Sequence, residues 1–144
     1  MALVDAATFR LTVDDDVELR VMSESDAEDF HRLNSSDNNG MKQWLPARDT
    51  ERTLEETRDF IAQLRTGVSE DKGIAVGIWH RGQVAGFLDA QRIKWSHRKT
   101  ELGFWLGTSF EGKGIMSRSC RALIDYNFRE FGLTVAVAVF FSLL

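Results

Sequence analysis

Glu111-Gly112-Lys113-Gly114-Ile115-Met116 stands where a strand-like run gives way to a helical one, and its residue types suit the binding of an anion. Glycine admits positive φ and lets a ligand approach the main chain closely. The first N–H groups of a helix have no intrahelical partner, and the helix dipole favours negative charge beside them. Together these make a site of pyrophosphate size. Two better-known phosphate loops are excluded by sequence. A Walker loop needs Lys-Ser or Lys-Thr after its last glycine, whereas Ile115 follows Gly114. The dinucleotide fingerprint needs a third glycine at position 117, which is Ser117. As a bare pattern, Gly-Lys-Gly fits a plain turn as well as a phosphate cradle.

The other candidates for chemistry are scattered. His31 and His97 are the histidines considered near neutrality. His31 falls on a helix and reads as a surface residue. His97 lies in the basic stretch Gln91 to Lys99, where it either touches a substrate or is solvated. Cys120 and Tyr126 sit at core positions of the late helix and read as packing groups. Trp44 either walls a cleft or staples its loop to the core.

These residues belong to a chain of 144, enough for one domain and too little for two of ordinary size. With 43% hydrophobic and 28% charged residues it is globular in type and needs no staple. Eighteen basic against 22 acidic residues give a net charge of −4, which argues against a broad nucleic-acid surface. A single cysteine, Cys120, excludes an intrachain disulfide and a multi-cysteine zinc site, so no metal is expected and the cytoplasm is the default compartment. The acidic opening, with Asp5, Asp14, Asp15, Asp16 and Glu18, is unlike a secretory signal. The apolar run Val135 to Phe141 is far below the roughly 18–20 residues that cross a bilayer, so no membrane partner is expected.

Periodicity supplies the elements that must position the loop. Leu11 to Met22 alternates as a first strand, with Asp14–Asp16 a turn or edge. Ser23 and Asp26 form a capping-box-like start for a helix burying Ala27, Phe30 and Leu33. Asp49 or Thr50 then caps a second helix with Leu54, Phe60, Ile61 and Leu64 inward and Gly67 closing it. Ile74–Trp79 and Val84–Ala90 flank a hairpin turn at His80, Arg81 and Gly82. Thr100–Leu106 is a strand with Glu101, Gly103 and Trp105 on one side and Leu102, Phe104 and Leu106 on the other. A helix from Ile115 to Phe131 stops at Gly132, and Thr134–Phe141 reads as a fully buried strand, parallel to the one before it. The class is α/β (α+β), a mixed central sheet flanked by helices, in the order β-α-α-β-β-β-α-β.

Glu101-Leu102-Gly103-Phe104-Trp105-Leu106 followed by Phe110-Glu111-Gly112-Lys113-Gly114-Ile115-Met116 resembles the central motif of the GNAT superfamily of N-acetyltransferases. It looks most like the branch containing the RimJ and RimL enzymes. Val17-Glu18-Leu19-Arg20 with Ser25-Asp26-Ala27, Trp44-Leu45-Pro46 and Val84-Ala85-Gly86 are similar to further segments of that branch, so the likeness spans most of the chain. The resemblance implies acetyl-CoA as co-substrate. Main-chain N–H groups of Gly112, Lys113, Gly114, Ile115 and Met116, with Glu111 and Ser117 beside them, would hold its pyrophosphate. Phe104, Trp105 and Leu106 would pair through main-chain groups with the pantetheine arm. Glu101 would be the base that frees an amine of its proton, and Trp44 and His97 would face the acceptor.

Glu111 and Met116 depart from the usual pattern, which carries Gln or Arg and Gly or Ala there. The resemblance also implies a further helix and two strands beyond the last strand, so residues 1–144 are expected to be one acetyltransferase domain short at its C-terminal end. Val135–Phe141 would then pair with a second copy in a homodimer, or the chain would bind acetyl-CoA and turn over slowly. Three readings follow. One is an N-acetyltransferase acting on a protein N-terminus, a ribosomal one above others, or on a small amine. The second is an acetyl-CoA-binding remnant, and the third an α/β domain whose glycines form only a turn.

Overall fold

In the computed structural model, which describes residues 4–36 and 53–138, the acidic run Asp14–Asp16 is a turn. Asp14 Oδ1 accepts from the main-chain N–H groups of Asp16 (2.8 Å) and Val17 (2.9 Å), closing the chain on itself. The result is an antiparallel hairpin of β1 (Arg10–Thr12) and β2 (Val17–Arg20). The single strand expected over Leu11 to Met22 is therefore two. Among the described residues the order is β-β-α-α-β-β-β-α-β. Three successive carboxylates reverse the chain there because they are better solvated in a turn than in a ladder.

Ser23 and Asp26 form the expected capping box, which leads through one 3-10 turn into α1 (Ala27–Ser36). Ala27 and Phe30 are fully buried. The next helix, α2 (Leu54–Ser69), is capped by Thr53, whose hydroxyl accepts from Glu56 N at 3.1 Å. Asp49 and Thr50, the expected caps, lie outside the described residues. Gly67 does not close this helix. It lies inside it, buried, where a Cβ would come within 2.6 Å of Gln91 Nε2. His31 is half-buried rather than a surface residue, because Nδ1 lies 3.2 Å from Thr57 Oγ1 and ties α1 to α2.

The hairpin of β3 (Ile74–His80) and β4 (Gln83–Ala90) turns on Arg81 and Gly82, with φ of 51° and 81°. Two successive left-handed residues match the twist of an antiparallel pair. Then come β5 (Lys99–Leu106), α3 (Ile115–Phe131) and β6 (Val135–Ala138). Gly132, at φ 67°, stops α3 as its position implies. The six strands lie in chain order in one sheet, antiparallel except for the parallel pair β5–β6.

Sheet alternation sorts the apolar side chains into two layers. Leu102, Ile115 and Leu123 join Leu19, Ile78 and Leu88 on the α3 side. Phe30 and Ile61, from α1 and α2, meet Trp79, Phe87 and Trp105 on the other. Phe30 packs edge-on against Trp105, 5.9 Å between centroids, so aromatic bulk fixes α1 over β5. The last strand is not fully buried as expected: Val135 and Val137 are 44% and 40% exposed, with Ala136 half-buried between them.

Candidate active site

The connection from β5 to α3 is the loop singled out by sequence. Gly107 N donates to Ala85 O at 2.8 Å, and a 3-10 turn over Thr108–Phe110 brings the chain to Glu111. Gly112 and Gly114 then take φ of 77° and 72°. A Cβ would meet nothing within 4 Å at Gly112, and at Gly114 only Arg118 Nε at 3.9 Å. The corner is open. Glu111, Gly112, Lys113, Gly114 and Ser117 are exposed, while Ile115 is buried beneath them and Met116 is half-buried.

Among the described residues, no main-chain N–H from Gly112 to Ser117 donates to a main-chain carbonyl. The first donor that does is Arg118 N, to Gly114 O at 3.1 Å. The Arg118 side chain reaches back over the loop. Its Nε donates to Gly114 O and its Nη2 to Lys113 O, both at 3.2 Å, while Nη1 donates to Asp14 Oδ2 in the β1–β2 turn. In a trans peptide the carbonyl and the following N–H point opposite ways. With the carbonyls of Lys113 and Gly114 turned to Arg118, the N–H groups of Gly114 and Ile115 face away from it. Left-handed glycines with unpaired N–H groups at a helix start form a concave anion seat.

β5 runs from this seat to a group of charges. Gly103–Leu106 pair with Asp89–Gly86 of β4, and Lys99–Leu102 pair with Val135–Ala138 of β6. Phe104 and Leu106 are half-buried on the α3 side and Trp105 is buried among the α1–α2 aromatics, so any part these three play in ligand binding falls to their main chain. Glu101 is on the Trp105 face. Its Oε2 lies 3.2 Å from Arg92 Nε, and Arg92 Nη2 lies 3.6 Å from Asp89 Oδ1. Asp89 is 8% exposed, and burial pushes its carboxyl up to about 6 although Arg92 and nearby main-chain N–H groups pull it down.

Asp89, Arg92 and Arg118 belong to the candidate site by position and were passed over in the sequence reading. Asp89 looked like one position of an apolar strand, although a lone acid inside Val84–Ala90 was a signal of burial under constraint. Arg118 follows Gly114 by one helical turn, which was the available hint.

The remaining candidates are dispersed. His97 is exposed in the 3-10 turn before β5, at the end away from the glycine loop. Seven strand steps separate those ends, about 23 Å. Burial raises the Cys120 thiol to about 11, and burial followed by Glu130 raises Tyr126, so both behave as packing groups. Trp44 lies outside the described residues. Among the described residues no three His, Cys, Asp or Glu side chains gather as a metal site, and no helix is long and apolar enough to cross a membrane. Two surface depressions border α2, lined by Asp59, Ala62 and Thr66 among others, and neither includes the glycine loop.

Known proteins are similar to this chain over most of its length. YdaF of Bacillus subtilis (strain 168), a protein named for ribosomal N-acetylation, is 29% identical over 126 residues, 87% of this chain and 69% of its own. A crystal structure titled as an acetyltransferase is 29% identical and superposes with a TM-score of 0.81, covering 88% of this chain and 72% of that one. RimL, a ribosomal L7/L12 alpha-N-protein acetyltransferase solved with coenzyme A, is 27% identical with a TM-score of 0.76, over 84% and 68% of the two chains. The acetyltransferase (GNAT) domain matches residues 16–142. From its sheet, its loop and this match, the chain belongs to the GNAT acetyltransferase family, on the RimJ/RimL-like side of it.

Proposed function

We propose that this acetyltransferase takes its acetyl group from acetyl-CoA and delivers it to a primary amine, the N-terminal amine of a ribosomal protein. The observation that carries the reading is the run of undonated N–H groups from Gly112 to Ser117 at an open corner. Such a run matches the oxygens of a diphosphate, and the start of the helix favours negative charge there. The coenzyme A complex of RimL and the ribosomal names of RimL and YdaF support cofactor and acceptor.

Gly112, Lys113, Gly114, Ile115, Met116 and Ser117 would hold the diphosphate through their main chain, with the Lys113 ammonium and the Arg118 guanidinium adding charge. Glu111, exposed beside them, would oppose it. The pantetheine arm would run along the main chain of Leu106, Trp105 and Phe104. From Leu106 to Glu101 are five strand steps, about 16 Å, which brings a thioester to the level of Glu101. There Glu101 would take the proton from the acceptor's ammonium, since only the neutral amine has a lone pair for the acyl carbon. As the nitrogen–carbon bond forms and the carbon–sulfur bond breaks, the nitrogen would shed a second proton and the departing thiolate would take one up, leaving as coenzyme A. Trp44 and His97 would contact parts of the acceptor beyond its amine.

Thermal shift with acetyl-CoA tests the site, and thiol release with N-terminal peptides and small amines tests the reaction. A shift at sub-millimolar acetyl-CoA with thiol release on ribosomal N-terminal peptides is expected. No shift at millimolar acetyl-CoA overturns the diphosphate reading. A shift without release on any amine leaves a binding protein.

A further inference from the structure

Arg92 is held by two carboxylates that compete for it. It lies 3.2 Å from Glu101 Oε2 and 3.6 Å from Asp89 Oδ1, and the second separation is too long for a hydrogen bond. Asp89 Oδ1 is buried and has no hydrogen-bond partner. A buried carboxylate oxygen left without a donor is destabilising, and it marks a place where a better-fitting cation would be stabilised. The guanidinium itself is poorly enclosed: the Arg92 side chain is 46% exposed, against 11% for Asp89 and 30% for Glu101. Its neighbour Gln91 is anchored, with Nε2 donating to Leu64 O at 3.0 Å, so Arg92 can leave without the strand end moving.

The position has chemical consequences. Asp89 is paired with Gly103, and Glu101 is two residues before Gly103 on the same face, the one opposite α3. Both acids therefore stand beside the stretch of β5 at which the thioester would arrive. Two carboxylates and one guanidinium leave a net negative charge. An ammonium group entering as Arg92 swings outward keeps the charge balance and supplies the donor that Asp89 Oδ1 lacks.

We propose that Arg92 occupies the place of the acceptor's ammonium group, and that Asp89 and Glu101 together are the amine-recognition pair. The inference rests on the acetyltransferase reading above. Asp89 holds the cation while Glu101, the more exposed acid, accepts its proton and passes it to water: one N–H bond breaks and one O–H bond forms. Hydroxyl nucleophiles carry no such charge and are discriminated against at this step.

Titration calorimetry with a short alanine peptide bearing a free N-terminal amine, and with the same peptide N-acetylated, tests this without turnover. The wild-type chain should bind the free peptide and not the acetylated one. Arg92→Gln, a change at a half-exposed side chain whose folding is checked by its melting curve, should tighten free-peptide binding several-fold, and Asp89→Asn should weaken it about tenfold. Equal binding of the two peptides, or an Arg92→Gln affinity that is unchanged or lower, overturns the proposal. Acetyl-CoA titrations on the same samples report the diphosphate seat alone, so failure there is separable from failure here.

Discussion

Arg118, in the first turn of α3, donates to Asp14 in the turn between β1 and β2, and on the way binds the carbonyls of Lys113 and Gly114. One side chain thus joins the amino-terminal hairpin to the glycine loop and fixes which way that loop presents its N–H groups. The Asp14 carboxyl is held below its ordinary range, first by the Asp16 N–H and also by Arg118, so it remains charged at neutral pH. Removing Arg118 should loosen the seat and subtract a cation from it. Arg118→Ala should weaken acetyl-CoA about tenfold, as expected for loss of a charged hydrogen-bonding group, with a melting temperature close to wild type. Calorimetric titration of acetyl-CoA measures it, and an unchanged affinity removes Arg118 from the site.

Gly114→Asp places a carboxylate where the diphosphate would lie, on a residue at φ 72°. Binding of acetyl-CoA should fall more than a hundredfold. Gly114→Ala separates charge from backbone: open space surrounds the new methyl, so the left-handed conformation alone should lower stability by about 1 kcal/mol. Chemical denaturation of both variants beside acetyl-CoA titration makes the distinction. Retention of affinity within a few-fold in the Asp variant would show that the anion sits elsewhere.

Glu101→Gln keeps shape and removes the proton acceptor. Turnover should drop by about 100-fold or more, the usual contribution of a positioned base, while acetyl-CoA affinity is spared. Loss should shrink at high pH, where the amine arrives already neutral. A rate equal to wild type across the pH range excludes Glu101 as the base.

Asp89 gives the stability a pH dependence of known sign. Its carboxyl sits at about 6 in the fold against 3.8 in the open chain. Between those values the native state binds the proton and the unfolded state does not, so stability falls as pH rises through that window and levels off above it. The difference is worth about 3 kcal/mol. Asp89→Asn should therefore melt a few degrees above wild type at pH 8, with the advantage fading towards pH 4. Melting curves at the two pH values check it, and a constant difference would mean that Asp89 is not buried as described.

Much of this architecture was legible residue by residue. Isoleucine at 115 and glycine at 132 bound α3 because the helical period and a left-handed stop are local properties of the chain. The hairpin turn, expected over His80–Gly82 and found at Arg81 and Gly82 with His80 in the strand, and the facing of Trp105 against Leu102 are local in the same sense. The hairpin at Asp14 was only half visible, since a charged run marks a turn or an edge equally well until its partner strand is placed.

What the order of residues determined by itself was the loop, its glycines and the elements on either side, because torsional preference and apolar spacing act over a few residues. Only the folded sheet decided that Asp14 meets Arg118 and that Asp89 and Glu101 share Arg92. Coulombic pairing depends on strand register and burial, and neither is encoded near the charges that it joins.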